Sequence, residues 1–287
     1  MTFLLSATYD IVPEKDSILP PLTSKVPKYI LEKSPSISPL IRNKTKYKGL
    51  TISPLKRDGQ YLYSIPNSPV NVAKSGTKMS FHLSFSTQDI DPSIFYIDEI
   101  QDTPYGKFYI TLNQIEVKEM INLSFKINDF FVIRFETPTL LSNKYMLPPP
   151  LKRKNIKAMN KLIPQPSLIF SFLTSLWNSI AEPKEKIIKG DLDWTPYMIG
   201  RISDVIFTEL GYSIKPITVI LGKDSHDNLR EARGFIGWTK YKVTHYRNYI
   251  RIMERLLGLA SIMGIGRSRG IGLGIVKILN QGQKVLT

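Results

Sequence analysis

From Phe130 onward the apolar residues change their spacing in a fixed order, and that order leaves few ways to fold. "FFVIRFETP" reads as a strand, while "SLIFSFLTSLWNSI" and "WTPYMIGRISDVIFTEL" carry helical spacing. "SIKPITVILG" and "ARGFIGWTKYKV" are strands separated by the turn-rich "KDSHDNLRE". "RNYIRIMERLLGLASIM" is an amphipathic helix with Arg251, Glu254 and Arg255 on one face, and "LGIVKIL" is a last strand. Strand, helix, strand, strand, helix, strand is the split βαβ order of a ferredoxin-like domain, here with an extra helix in the first crossover.

The preceding half is strand-dominated. "TFLLSATYDIVP" is a strand, and "TSKVPKYILEK" has helical spacing from Val26 to Ile30, with Thr23 or Ser24 as its cap and Pro27 tolerated in the first turn. A basic, turn-rich passage, "IRNKTKYKGLTISPLKRDGQ", leads to strands in "KMSFHLSFSTQ" and "YGKFYITLNQIEVKEM". In the latter Phe108, Ile110, Leu112, Ile115 and Val117 nearly hold a period of two, and the skip after Leu112 predicts a bulge. A chain of 287 residues exceeds one typical domain. The expected architecture is therefore α+β, with two tandem ferredoxin-like (RRM-like) domains over 1–128 and 129–287.

Charge says what such a chain would bind. Lys and Arg number 39 against 24 Asp and Glu, a net +15, and the excess is uneven: 15 basic and 12 acidic residues up to 128, 24 and 12 after it. A field of this sign attracts polyanions, nucleic acid first and anionic membrane second. The absence of cysteine removes disulfides, thiol catalysis and thiolate metal sites. His82, His226 and His245 are too scattered for a zinc site or a catalytic triad. His82 in "SFHLSF" reads as a strand residue with a satisfied hydrogen bond, His226 as a loop tip, and His245 as the residue before a helix. Asp191/Asp193 and Asp224/Asp227 read as caps or turns rather than metal ligands, so neither metal nor cofactor is expected. The N-terminus lacks a basic n-region, and the longest uncharged window, Leu162 to Ala181, is interrupted by Pro164 and Pro166. The expectation is a cytoplasmic protein without a membrane span.

"GIGRSRGIGLGIV" places Gly264, Gly266, Gly270, Gly272 and Gly274 between the last helix and the last strand. A dinucleotide fingerprint requires the opposite order, strand before loop and helix after it, and Arg269 stands where its third glycine belongs. No phosphate-binding G-x-x-x-x-G-K-[ST] occurs. Two readings remain. Positions without Cβ let a large ligand's backbone approach, with main-chain N–H groups, Arg267 and Arg269 as donors; or the glycines form a close-packed turn with solvated arginines.

The same stretch resembles the C-terminal glycine-rich signature of the RAMP superfamily, and in particular its CRISPR-associated endoribonucleases that cut precursor CRISPR RNA within repeats. "SKVPKYI", "RFETPTLL" and "LREARGFIGW" resemble archaeal members of that family. The resemblance implies metal-independent cleavage by 2′-hydroxyl attack, leaving a 2′,3′-cyclic phosphate and a 5′-hydroxyl. It also implies CRISPR repeat RNA as partner, a monomer or homodimer, and transfer of the product to effector complexes. Many members use a histidine in or after the first helix; here none precedes His82, and the matching positions are Lys25, Lys28, Lys46 and Lys48, with Arg230 and Arg233 from the second domain. The resemblance assigns catalysis to Lys28, Lys48, Arg233 and Lys25, with Lys28 in proton transfer. It assigns RNA binding to Lys46, Arg230, Gly264, Gly266, Arg267, Ser268, Arg269, Gly270 and Gly272. A non-catalytic subunit gripping CRISPR RNA is the alternative. Tyr47, Trp238 and Tyr241 are stacking candidates, although aromatics in strands usually belong to cores. "PPPLKRKNIK" reads as an exposed basic linker.

Overall fold

The computed structural model describes every residue except 153–154, 225, 245–246 and 281–287. His245 and part of the basic linker therefore lie outside the described residues.

In the second half four strands form one antiparallel sheet: β6 (Phe130–Thr139), β7 (Phe207–Lys223), β8 (Leu229–Val243) and β9 (Val276–Asn280). Their spatial order is β7-β8-β6-β9, which puts the first strand in the centre, flanked by the hairpin and by the last strand. This is the ferredoxin-like arrangement that the element order predicts. The first crossover carries the extra helix, as α3 (Pro166–Ile180) and α4 (Thr195–Ile206); the second is α5 (Arg247–Met263). Pro166 begins α3 where a missing N–H costs nothing. Almost every side chain of α3 through Trp177 is buried, because the helix lies inside a core with Phe131, Phe135, Phe207 and Leu257. The uncharged window of the sequence is thus a core helix, and among the described residues no helix is long and apolar enough to cross a membrane.

The first half holds β1 (Phe3–Pro13), α1 (Lys25–Glu32), α2 (Ser38–Arg42), β2 (Leu50–Ile52), β3 (Met79–Thr87), β4 (Ile100–Thr103) and β5 (Gly106–Glu119). Again the first strand is central, in the order β3-β1-β5-β4, with β2 on β3. Here the lone flanking strand precedes the hairpin in the chain. A single 3₁₀ turn, Pro92–Phe95, stands where the second crossover helix would be. Register shifts between Thr8 and Tyr9, which face Gln114 and Leu112, leaving Asn113 unpaired; this is the bulge that the sequence predicts.

α1 buries Val26, Pro27, Ile30 and Leu31 and turns Lys25 and Lys28, three apart, outward together. Ser24 occupies the N-cap position, but its hydroxyl does not cap the helix. It donates instead to Ile271 O of the second half at 2.6 Å. A tether across the domains has replaced the expected local cap. Around it Leu22, Leu140, Val219 and Leu273 form a small apolar cluster that joins the two sheets. Leu273 is fully buried there. Leu273→Ala is expected to cost about 2–5 kcal/mol through the cavity it leaves, read as a lower urea midpoint at unchanged m-value.

Candidate active site

The junction between the halves contains a cleft of about 330 Å³ lined by Lys28, Thr45, Lys46, Lys48, Tyr145, Phe172 and the loop residues Gly266 to Ile271. Lys28 comes from α1, Lys46 and Lys48 from the segment after α2, and Arg267 from the second half. The cations that the sequence places far apart thus share one space.

The glycine loop is fixed from both sides. Arg267 N donates to Leu140 O at 3.0 Å, Ile265 N to Gly274 O at 2.8 Å, and Gly274 N to Pro138 O at 3.0 Å. Gly264 (φ 72°) and Gly274 (φ 74°) lie in the left-handed region, and a Cβ on either would strike the main chain of the opposing segment. A Cβ on Gly266 would come within 2.6 Å of Leu140 O, and one on Gly272 within 2.8 Å of Pro54. The bare backbone packs against protein: Gly264, Gly266 and Gly272, expected as RNA contacts, are buried, and of the three only Gly266 lines the cleft. Gly270 has more room, with no neighbour of its added Cβ nearer than 3.9 Å.

Arg269, expected as an RNA contact, is held by the protein. It is 5% exposed, and its guanidinium donates to Gly266 O (3.2 Å), Met263 O (2.9 Å) and, across the domains, Lys48 O (2.7 Å). It lies over the Phe172 ring, 5.4 Å from its centroid. Burial pulls its pKa down to about 10, so it remains charged at neutral pH. This arginine is a tie between the loop and the lysine segment, buried in the cleft wall where Arg267 is exposed. Thr51 Oγ1, donating to Met263 O at 2.7 Å, adds a further tie. Arg267 and Ser268 are the exposed tip.

Lys48 is half-buried and donates to Ile41 O. Burial, followed by the nearby Lys28 charge, holds its pKa below the ordinary lysine value, with Glu32 partly opposing. Lys28 forms an i,i+4 pair with Glu32 at 3.4 Å. On the next turn of the surface Lys25 is likewise lowered by burial, by Lys28 and by Arg230, and its ammonium lies against Gly222 of β7. Arg230 thus approaches the lysines from the second half. Arg233 does not line the cleft. It lies on β8 next to Ala232, which packs toward the junction cluster, so alternation sends its side chain to the other face.

The remaining candidates have structural partners. His82 contacts Thr8 Oγ1 at 3.3 Å and Ser84 Oγ at 2.7 Å, and burial lowers its pKa. His226 N donates to Asp224 Oδ1 in the hairpin turn, while Asp193 N donates to Asp191 Oδ1. Tyr47 packs on Tyr145 and Phe172 at 6.4 and 6.1 Å between centroids, and Tyr241 is buried in the core. Trp238 alone of the three aromatics borders a second cleft, of about 530 Å³, beside Lys215 and Arg134. Sequence reasoning missed Thr45, Tyr145 and Phe172 in the cleft wall; no spacing in "NKYMLPPP" or the α3 text signals it.

Two ferredoxin-like sheets meeting at a lysine-lined cleft, closed by a glycine-rich loop, define a two-domain protein with a cationic junction suited to a polyanion. Residues 5–118 match the Cas6 N-terminal domain, and residues 133–276 match the CRISPR-associated endoribonuclease Cas6 family. The chain belongs to that family. It is 33% identical to CRISPR-associated endoribonuclease Cas6 1 of Saccharolobus solfataricus, over 97% of each chain. Identity to Cas6 2 of the same organism is also 33%, over 97% of this chain and 96% of the relative. Among solved structures it shares the fold of Thermus thermophilus Cas6, with a TM-score of 0.62 at 15% identity, covering 97% of this chain and 99% of that one.

Gly274→Ala and Arg269→Ala are each expected to destabilise the protein by more than ~2 kcal/mol, by main-chain collision and by orphaned carbonyls respectively. Arg267→Ala is expected to leave the melting temperature unchanged while weakening RNA binding and reducing its salt slope by about one.

Proposed function

We propose that the cleft cuts precursor CRISPR RNA within its repeats by in-line attack of a ribose 2′-hydroxyl on the adjacent phosphate. The 2′-O–P bond forms as the P–5′-O bond breaks, giving a 2′,3′-cyclic phosphate and a 5′-hydroxyl without a metal ion. The observation that carries this reading is the convergence of Lys28, Lys46, Lys48 and Arg267 on one cleft at the domain junction.

The chemistry needs a base at the 2′-oxygen, positive charge around the phosphorane and a proton for the departing 5′-oxygen. A lysine acts as base only when part of it is neutral, and Lys48 has its pKa lowered by burial and by Lys28. The proton-transfer role that the sequence suggests for Lys28 therefore fits Lys48 better. Lys28 and Arg267 supply fixed charge to the phosphorane, and an arginine can do no more than that. Lys46, exposed at the rim, together with Lys25 and Arg230, holds flanking phosphates; Arg230 takes the second-domain arginine role in place of Arg233. Ser268 and Gly270, at the loop tip, are the remaining main-chain donors toward RNA. The functional units are residues 1–128 and 129–287. The protein works in the cytoplasm, as a monomer or homodimer, and passes matured RNA to effector complexes.

Repeat RNA incubated with the protein in EDTA is expected to be cleaved, and the same RNA with a 2′-deoxy sugar at the cut site is expected to bind and stay intact. Binding of both without cleavage would favour a non-catalytic RNA-gripping subunit, and cleavage abolished by EDTA would remove the metal-free chemistry. Cleavage should accelerate as pH rises toward the lowered pKa of Lys48, since deprotonation produces the base. Lys48→Ala should lose that rising limb and ~10²–10³ in rate with little change in affinity.

A further inference from the structure

Cleavage leaves one proton without a donor. Lys48 takes the proton of the 2′-hydroxyl, and Lys28 and Arg267 hold charge, yet the 5′-oxygen must depart as a hydroxyl. A suitable donor lies in the cleft wall, keeps its proton where Lys48 has lost its own, and has no hydrogen bond to give up.

Tyr145 meets these conditions. It stands in a 3₁₀ turn, Asn143–Met146, where Lys144 N donates to Ser142 Oγ at 3.3 Å. Its carbonyl accepts from Ser171 Oγ of α3 at 2.6 Å, which pins the turn to the core helix. The ring lies 5.0 Å from that of Phe172 and 6.4 Å from that of Tyr47, and the residue is 5% exposed. It nevertheless lines the cleft with Lys28, Lys48 and Arg267. Among the described residues its hydroxyl has no hydrogen-bond partner. The buried tyrosines Tyr9 and Tyr241 differ in this respect, donating to Phe95 O at 3.0 Å and to Pro164 O at 2.7 Å. Leaving a buried hydroxyl unpaired costs about 1–3 kcal/mol, so such a group is normally satisfied by protein unless it serves a ligand. The ammonium groups of the cleft are engaged elsewhere: Lys28 pairs with Glu32 at 3.4 Å, and Lys46 lies over the Tyr47 ring at 5.3 Å.

Resting on the cleavage reading above, we propose that Tyr145 is the general acid, its phenolic proton passing to the 5′-oxygen as the P–5′-O bond breaks. The 2′-hydroxyl proton goes to Lys48, and the phenolate is left within the field of Arg267 and Arg269. Return of that proton from Lys48 to the phenolate through water restores both groups. An alkoxide is a stronger base than a phenolate, so the transfer to the 5′-oxygen runs downhill. Burial, followed by Tyr47, raises the pKa of Tyr145, with Arg267 and Arg269 opposing. Lys48 is displaced the other way. As pH rises the base therefore loses its proton before the acid does, and both are in working form together.

The test compares two repeat RNAs under single turnover, one natural and one with sulfur replacing the bridging 5′-oxygen at the cut site, since a thiolate departs without a proton. Tyr145→Phe keeps the ring and removes the donor. It should cut natural RNA ~10²-fold more slowly or worse, and the sulfur RNA within about threefold of wild type. Its RNA affinity and melting temperature should match wild type, and its rate should still rise with pH, because that limb belongs to Lys48. Natural RNA cut at the wild-type rate, a defect of equal size on both RNAs, or sulfur rescue of Lys28→Ala instead would each overturn the proposal and leave the cleavage reading standing. A wild-type chain that cuts neither RNA in EDTA would remove both. If loss of the hydroxyl disturbs folding, 3-fluorotyrosine at position 145 keeps the donor and lowers its pKa. A descending limb should then enter the pH–rate profile, and an unchanged profile overturns the proposal as well.

Discussion

Three carbonyl groups converge on the buried guanidinium of Arg269, one of them from the other half of the chain. A buried charge is tolerated only when its hydrogen-bonding capacity is met, and a planar fork with fixed donors suits that purpose better than an ammonium. Because one of those carbonyls belongs to Lys48, the same contact that neutralises the cost of burial also sets the path of the lysine segment. The shape of the cleft, the exposure of Arg267 and Ser268, and the mutual approach of the cations all follow from that clamp.

Chemistry without imidazole places a particular demand on such a scaffold. A lone surface lysine is fully protonated at neutral pH and is useful only as a charge. Burial of Lys48, with Lys28 brought beside it, makes protonation of Lys48 less favourable than in water. The cost is electrostatic repulsion within the folded protein. It is relieved in part by Glu32 on the outer face of α1 and would be relieved further by bound phosphate.

The second sheet was legible in the sequence because its helices and strands have clean, different periods and short connections. The bulge at Asn113 was legible for the same reason: a single skipped position in an alternating run has few other meanings. In the first sheet the strand-rich text could not reveal which strand would flank β1, since that depends on packing between distant segments. The cleft lysines carry no distinguishing spacing in the sequence, and their convergence depends on packing between the two halves. Arg267 and Arg269 look alike in the sequence, two residues apart in one basic loop. Only the left-handed turn at Ser268 (φ 65°) and the neighbouring carbonyls decide that one faces solvent and the other the interior. For Arg233 and Arg230 the deciding variable was strand alternation, which a register uncertain by one residue reverses.

The backbone-to-backbone crossing of Gly264 and Gly274 leaves the loop with little freedom to adjust. Its conformational entropy is lost when the chain folds, not when a substrate arrives. Capture of a polyanion at the tip should consequently need no loop closure, and its speed should depend on diffusion and ionic strength alone.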